Sequence, residues 1–274
     1  MAVRIFSLAL FIFNVLYFGI ISPLLSTLIM FPIAWLKGEV KAPNRCSNYY
    51  HMHANALYFG VKVKVLAGEL KTDEKTLYLI NHRTWADFFV HRLITDTTAA
   101  HLSRNLVGAV FPLIWLFSKL DDSIWFFNNN NVRNTDLFYQ LLDNHFKTTQ
   151  LRSLIVYPEG ARNRTNKPFG LRRGVIYYAY SRSIPSQVII TKGYENILNE
   201  FEFTSSFGQT VETFFGPTIR PSDFETREAF FDEVQKEFVA TWNRVYETNW
   251  SVDEVEIDKN TASRFAKTNP TKTE

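Results

Sequence analysis

The chain has 274 residues, enough to bury one sizeable core, and its 46% hydrophobic and 16% aromatic content excludes wholesale disorder. A net charge of +3 is too small to point to nucleic acid as a partner. The one cysteine, Cys46, excludes an internal disulfide and a CxxC metal site, and reads as a small buried or interfacial hydrophobe.

Residues 5–36 run for 32 positions without a charged side chain. As one helix they extend about 48 Å, against about 30 Å of bilayer hydrocarbon. Such a run is too long for the apolar core of a cleavable signal and predicts membrane anchoring. Pro23 and Pro32 divide it, so it reads either as one tilted, kinked span or as two shorter helices in a re-entrant hairpin. Lys37, Lys41 and Arg45 follow the run and only Arg4 precedes it, which puts the rest of the chain on the cytosolic side.

Residues 48–60 read as a helix leading into the main domain; its His51 and His53, two apart and without a third ligand nearby, read as structural or surface histidines. VKVKV at 61–65 alternates as a half-exposed strand does, whereas LYLI at 77–80 is continuously apolar, as expected of a strand covered on both faces. That strand delivers Asn81-His82, with Asp87 five residues past the histidine. Residues i and i+5 lie about 140° apart on a regular helix, so the two meet only if His82 sits in the turn after the strand and Asp87 projects back from the next helix. Histidine accepts and returns a proton near neutrality, and a carboxylate on its second ring nitrogen fixes the tautomer. We read the two as a catalytic pair; on these residues alone, a buried histidine beside a helix-capping aspartate is the competing account.

A helix is predicted over 84–95, and the apolar stretch at 106–117, too short to span a bilayer comfortably, is predicted to be core and to be suited to walling an acyl-chain tunnel. IWFF at 124–127 reads as a strand, Asn128 to Asn131 as a loop, and 136–146 as a helix. LIVY at 154–157 is a strand ending in the turn Pro158-Glu159-Gly160, with Arg162 just beyond. Arginine is a planar, permanently charged fork suited to phosphate, and Glu159 is placed to hold it. Eight bases lie between Arg152 and Lys192 against one acid, Glu159, a segment that would attract phosphates, a lipid head group or an anionic bilayer. A helix over 171–182, strands at 188–190 and 211–216, and an amphipathic helix over 227–247 with Phe230, Val234, Phe238, Trp242 and Val245 in one stripe complete the elements. The polar tail from Ser251 is expected to be disordered. Alternating strands and helices predict an α/β fold, a largely parallel sheet flanked by helices, with ligands beyond the carboxyl ends of the strands. The expected divisions are a membrane-anchoring helix or hairpin over 1–47, a catalytic domain over 48–250 and a tail over 251–274.

NHRTWAD and YPEGAR together resemble the NHxxxxD and FPEGTR motifs of the glycerophosphate and lysophosphatidate acyltransferase family, in order and at about the usual separation. The wording is similar to the eukaryotic lysocardiolipin and lysophospholipid branch. Ala161 stands where that family has a hydroxyl, Asn128 where its second motif has arginine, and Gln187, in IPSQVII, where its fourth commonly has a second proline. The resemblance implies transfer of a long-chain acyl group from acyl-CoA to a lysophospholipid hydroxyl, with His82 as general base and Asp87 orienting it. It further implies that Glu159, Gly160 and Arg162 hold the acceptor's phosphate, and that the chain works at a membrane, the endoplasmic reticulum in the first instance. Acyl-CoA enters as co-substrate, with no cofactor and no metal, because a thioester is already activated. A CoA-independent phospholipid transacylase and a catalytically silent, membrane-anchored lipid-binding protein are the alternative readings.

Overall fold

The computed structural model describes residues 2–38, 47–128, 134–149 and 151–255. Lys41, Arg45, Cys46, Asn129 to Asn131 and the tail from 256 onward therefore lie outside the described residues.

Among the described residues, seven strands form one sheet in the order β1-β7-β6-β2-β5-β3-β4. They are β1 (Lys62–Ala67), β2 (Leu77–Ile80), β3 (Ala99–Arg104), β4 (Ile124–Phe127), β5 (Ser153–Val156), β6 (Ser186–Lys192) and β7 (Thr210–Ile219). Every neighbouring pair is parallel except β6 and β7. The fold is therefore α/β with a mostly parallel sheet. Crossover helices cover both faces, as parallel pairing requires.

Side-chain alternation divides the core between those faces. Leu77, Leu79, Leu154, Val156, Val188 and Ile190 face the helices Thr135–Thr148, Arg173–Ser181 and Arg227–Tyr246. The predicted stripe of the last helix, Phe230 through Val245, is buried there. Tyr78, Ile80, Ile155 and Ile189 point the other way. Beside them, helix Asp87–Ile94 supplies Phe89 and Val90 to a cluster that also holds Phe59, Phe111 and Ile114.

Two strands differ from the expectation. All six residues of β1 are exposed, since it is an edge strand and Lys62 and Lys64 decorate it as charges often do at sheet edges. β3 was not predicted because AAHLSR carries neither alternation nor a run of β-branched residues, yet its first five residues are buried. The stretch 106–117 also departs from a plain core segment: it forms two helices, Leu106–Val110 and Pro112–Asp121, with Phe111 and Ile114 buried but Leu106, Val110, Trp115 and Leu116 exposed. Past Ser251, where disorder was expected, residues 252–255 form a helical turn, with Ser251 and Glu254 bonded to each other as a cap.

The N-terminal run is one continuous helical rod over residues 2–36, so it is not itself broken into a hairpin. Its two prolines are absorbed by π-helical turns at Tyr17–Ile21 and Ser26–Met30. A proline ring collides with the carbonyl four residues back, and those carbonyls belong to residues 19 and 28, each inside a widened turn. Helix Ser47–Phe59 runs back along the rod. Tyr58 donates to Asn14 (2.7 Å), Asn55 to Ser22 (2.9 Å), and the His51 ring binds the Phe18 carbonyl at 3.2 Å. The buried residues of the rod, Phe11, Asn14, Phe18, Gly19, Ser22, Pro23 and Ser26, form one stripe, whereas Ile5, Phe6, Ile12, Leu28 and Trp35 are exposed. Residues Arg4–Ile33 are long and apolar enough to cross a membrane.

Candidate active site

β2 and β5 lie side by side and parallel, so the loops leaving their carboxyl ends emerge together. Asn81, fully buried after β2, is locked to β6: its amide donates to the Thr191 carbonyl at 2.8 Å and its oxygen accepts the Thr191 N–H at 2.9 Å. This fixes where the following residue, His82, leaves the sheet.

The chain then turns through Arg83-Thr84-Trp85-Ala86 into helix Asp87–Ile94. Asp87 reaches back from the first helical turn, and its Oδ2 accepts the His82 Nδ1 proton together with the N–H groups of Arg83 (2.9 Å) and Thr84 (3.2 Å). Burial pushes the Asp87 carboxyl up, but the His82 ring's charge and hydrogen bond outweigh it and hold the group below its ordinary value. An ionised carboxylate on Nδ1 fixes the tautomer that leaves His82 Nε2 free to accept a proton. The His82 side chain keeps 21% of its surface open to solvent, while Asp87 keeps none.

Glu159 follows β5 and is 3% exposed. Its Oε2 accepts the His82 backbone N–H (3.3 Å), and its Oε1 accepts from the Asn163 amide (2.6 Å) and the Phe169 N–H (3.1 Å). Burial pushes this carboxyl up to about 7 despite those donors. Asn163 closes the arrangement by donating its own N–H to the His82 carbonyl at 2.7 Å. Both backbone polar groups of His82 are thus held by the turn after β5. Gly160 sits at φ +74°, a left-handed conformation that favours glycine, and its N–H donates to the Tyr157 carbonyl at 3.1 Å.

These contacts revise the expectation for the turn. Glu159 does not hold Arg162: its oxygens are occupied inside the protein. The Gly160 N–H is spent on closing the turn, so it does not face outward to a phosphate. Arg162 instead places Nη1 2.6 Å from Glu200 Oε1 and its guanidinium 5.3 Å from the Phe201 ring. Of the basic segment, Arg164, Arg182 and Lys192 also have acidic partners, Glu202, Asp143 and Glu212. Asn128 is exposed after β4, the outermost strand, and Ala161 is exposed between Gly160 and Arg162. Gln187 works as a stitch: it donates to the Glu69 and Gly216 carbonyls (2.8 and 2.9 Å) and accepts the Lys71 N–H (3.0 Å). His51 is buried against the rod and His53 bonds the Tyr49 carbonyl at 2.8 Å, so both are structural.

Behind the pair lies a buried polar chain that sequence reasoning missed. The Thr191 hydroxyl donates to Asn81 Oδ1 (3.2 Å), so its oxygen takes the His91 Nε2 proton (3.1 Å), leaving His91 Nδ1 to accept from the Tyr157 hydroxyl (3.1 Å). Burial drives His91 down to about 4, which keeps it neutral. Tyr157 in turn lies flat against His82, ring centroids 4.1 Å apart and planes 8° apart. Its place directly before Pro158-Glu159 was the one signal available.

An imidazole backed by a buried carboxylate at the mouth of a parallel sheet defines a site suited to taking a proton from a hydroxyl. Residues 62–191 match the acyltransferase family model. The fold is similar to the crystal structure of the 1-acyl-sn-glycerophosphate (LPA) acyltransferase PlsC from Thermotoga maritima, with a TM-score of 0.62 over 88% of this chain and 97% of that one, at 16% identity. No curated protein matches the sequence.

Proposed function

We propose that the chain is a membrane-bound acyltransferase that moves a long-chain acyl group from acyl-CoA to a free hydroxyl of a lysophospholipid, lysophosphatidate being the first acceptor to test. The observation that carries this reading is the buried Asp87 carboxylate on His82 Nδ1, at the end of β2 within a family-matched domain. His82 Nε2 takes the proton of the acceptor hydroxyl as its oxygen attacks the thioester carbonyl. The tetrahedral intermediate expels the CoA thiolate, which recovers the proton from His82. Asp87 stabilises the imidazolium formed between those steps.

Arg162, whose side chain is a third exposed, is the contact we assign to the acceptor's phosphate. Glu159 and Gly160 serve that contact indirectly, by fixing the turn and the backbone of His82. The exposed apolar side of the rod supports attachment to a membrane, where acceptor and product reside. A cytosolic catalytic face at the endoplasmic reticulum is supported by the charge bias and the family resemblance.

The test is acyl transfer by purified protein in mixed micelles, with labelled acyl-CoA and a panel of lysolipids. His82→Ala is expected to lower turnover about 10²- to 10⁴-fold, the usual worth of a positioned base. Product from a phospholipid donor and none from acyl-CoA would replace this reading by the transacylase. No product from either donor would leave a lipid-binding protein.

A further inference from the structure

The buried polar chain ends on the face of His82, and nothing in the proton transfer described above uses it. Its last member, Tyr157, follows Val156, the partner of Leu79 across the two strands, so it leaves β5 two residues short of the level of His82 and meets that ring on the diagonal. The two rings are stacked face to face in nearly parallel planes, their centroids 4.1 Å apart. Asp87 holds the imidazole by one edge nitrogen, which leaves the ring able to swing about that bond. A flat aromatic surface against its face removes this freedom. The tyrosine is itself immobilised, since its hydroxyl donates to His91 Nδ1 at 3.1 Å and lies 3.5 Å from His101 Nδ1, both buried imidazoles.

We propose that Tyr157 is a positioning residue for His82: its ring face sets the plane of the imidazole and stabilises the cation that His82 becomes when it takes the acceptor's proton. This rests on the reading of His82 as the base. In that step the proton passes from the hydroxyl to Nε2, the oxygen's electron pair forms the new bond to the acyl carbon, and Nδ1 keeps its proton on Asp87. The imidazole thereby gains a full positive charge against the electron-rich face of Tyr157, a cation–π contact absent from the neutral ring. An interaction stronger in the charged state than in the resting one acts on kcat and leaves substrate binding alone.

The experiment compares Tyr157→Phe with Tyr157→Leu in the full-length protein, beside His82→Ala. Tyr157→Phe keeps the ring face and loses the hydroxyl, so kcat is expected to stay close to wild type while the melting temperature falls. Tyr157→Leu is expected to lower kcat about ten- to a hundredfold with little change in KM, a part of the 10²–10⁴ that a positioned base supplies. If the leucine variant does not fold, Tyr157→Met, flexible and without a ring face, takes its place. In spectra of protein carrying ¹³C-labelled histidine, the His82 Cε1–H signal, identified by its loss in His82→Ala, is expected to move downfield in Tyr157→Leu as the ring current disappears.

A folded Tyr157→Leu with full kcat overturns the proposal, and so does a Tyr157→Phe as impaired as Tyr157→Leu, which would transfer the effect to the hydroxyl. Full activity in His82→Ala overturns the base itself, and the positioning role with it. Inactive His82→Ala beside active Tyr157→Leu removes only the positioning role.

Discussion

Arg162 and Glu200 form an ion pair of 2.6 Å that ties the turn after β5 to the loop ahead of β7. Glu200 is engaged on its other oxygen as well, accepting the Trp85 N–H from the His82–Asp87 turn at 3.2 Å. A phosphate that binds Arg162 therefore competes with a carboxylate already in place. Glu200→Gln is expected to lower KM for phosphate-bearing lysolipids and to leave a neutral acceptor such as a monoacylglycerol unchanged. Arg162→Lys, which replaces a bidentate fork by a point charge, should raise KM for the same phosphate-bearing acceptors. Steady-state kinetics on both acceptor classes check this, and equal losses on the two would make Arg162 a structural partner of Glu200.

Asp87 is the second group to test, because it has two jobs. It orients His82, and it satisfies the N–H groups of Arg83 and Thr84 in the turn. Asn in its place keeps one acceptor oxygen for the turn and loses the charge. Turnover of Asp87→Asn should fall about 10²- to 10⁴-fold, within the range for positioned proton transfer, while circular dichroism shows a folded protein. Retention of more than a tenth of wild-type turnover would remove Asp87 from the reaction.

The buried ionisable groups predict how stability depends on pH. Burial holds His51 and His91 down to about 4 and also lowers His101. Between pH 6.5 and 4 the unfolded chain binds protons that these folded imidazoles refuse, so stability falls as pH falls across that window, by about 1.4 kcal/mol per pH unit for each proton. Glu159 acts in the opposite sense. Its folded carboxyl, raised to about 7, keeps a proton that the unfolded chain releases above its ordinary 4.5, so its contribution is lost as pH rises through that interval. Burial also raises the Glu200 carboxyl, and with three histidines lowered against two carboxyls raised, the net slope in thermal or denaturant unfolding should be destabilising toward acid. His91→Gln should flatten it; an unchanged slope would mean that His91 titrates equally in both states.

Removal of residues 2–36 is expected to reduce solubility, although it deletes the most apolar part of the sequence. The rod buries Phe11 and Phe18, and Phe18 packs on Phe89 and Phe111 at 5.9 and 5.4 Å. Each large apolar side chain left uncovered forfeits about 1.5–3 kcal/mol of burial. Expression of the shortened chain, followed by size-exclusion chromatography, checks this. A monodisperse truncated protein with the full-length melting temperature would show that the rod contributes nothing to the fold.

How much of this was legible depends on the distance between partners. His82 and Asp87 are five residues apart, and a continuous apolar run ahead of them was enough to place both at a strand end. The stripe of helix Arg227–Tyr246 was equally plain, since its period is local. The partner of Arg162 was not, because Glu200 lies on another loop and Glu159 was the nearer carboxylate in sequence. Tyr157 was read as the last residue of a strand, and no local pattern marks the ring it faces. The antiparallel entry of β7 likewise followed from neither composition nor alternation. It is set by the path of the chain between Lys192 and Thr210.

The pairing of β1 with β7 has a consequence for how the protein is made. Lys64 meets Glu212 across 148 residues of sequence, and contacts so distant form slowly because a long loop must close before they contribute. On the ribosome the chain up to Thr191 already holds every residue of the His82 site's polar chain, from Asn81 to Tyr157. The neighbour that pins β1 to the sheet is not yet synthesised. The apolar rod, made before β7, must therefore find its lodging in lipid or against its own helices while the sheet still lacks a side.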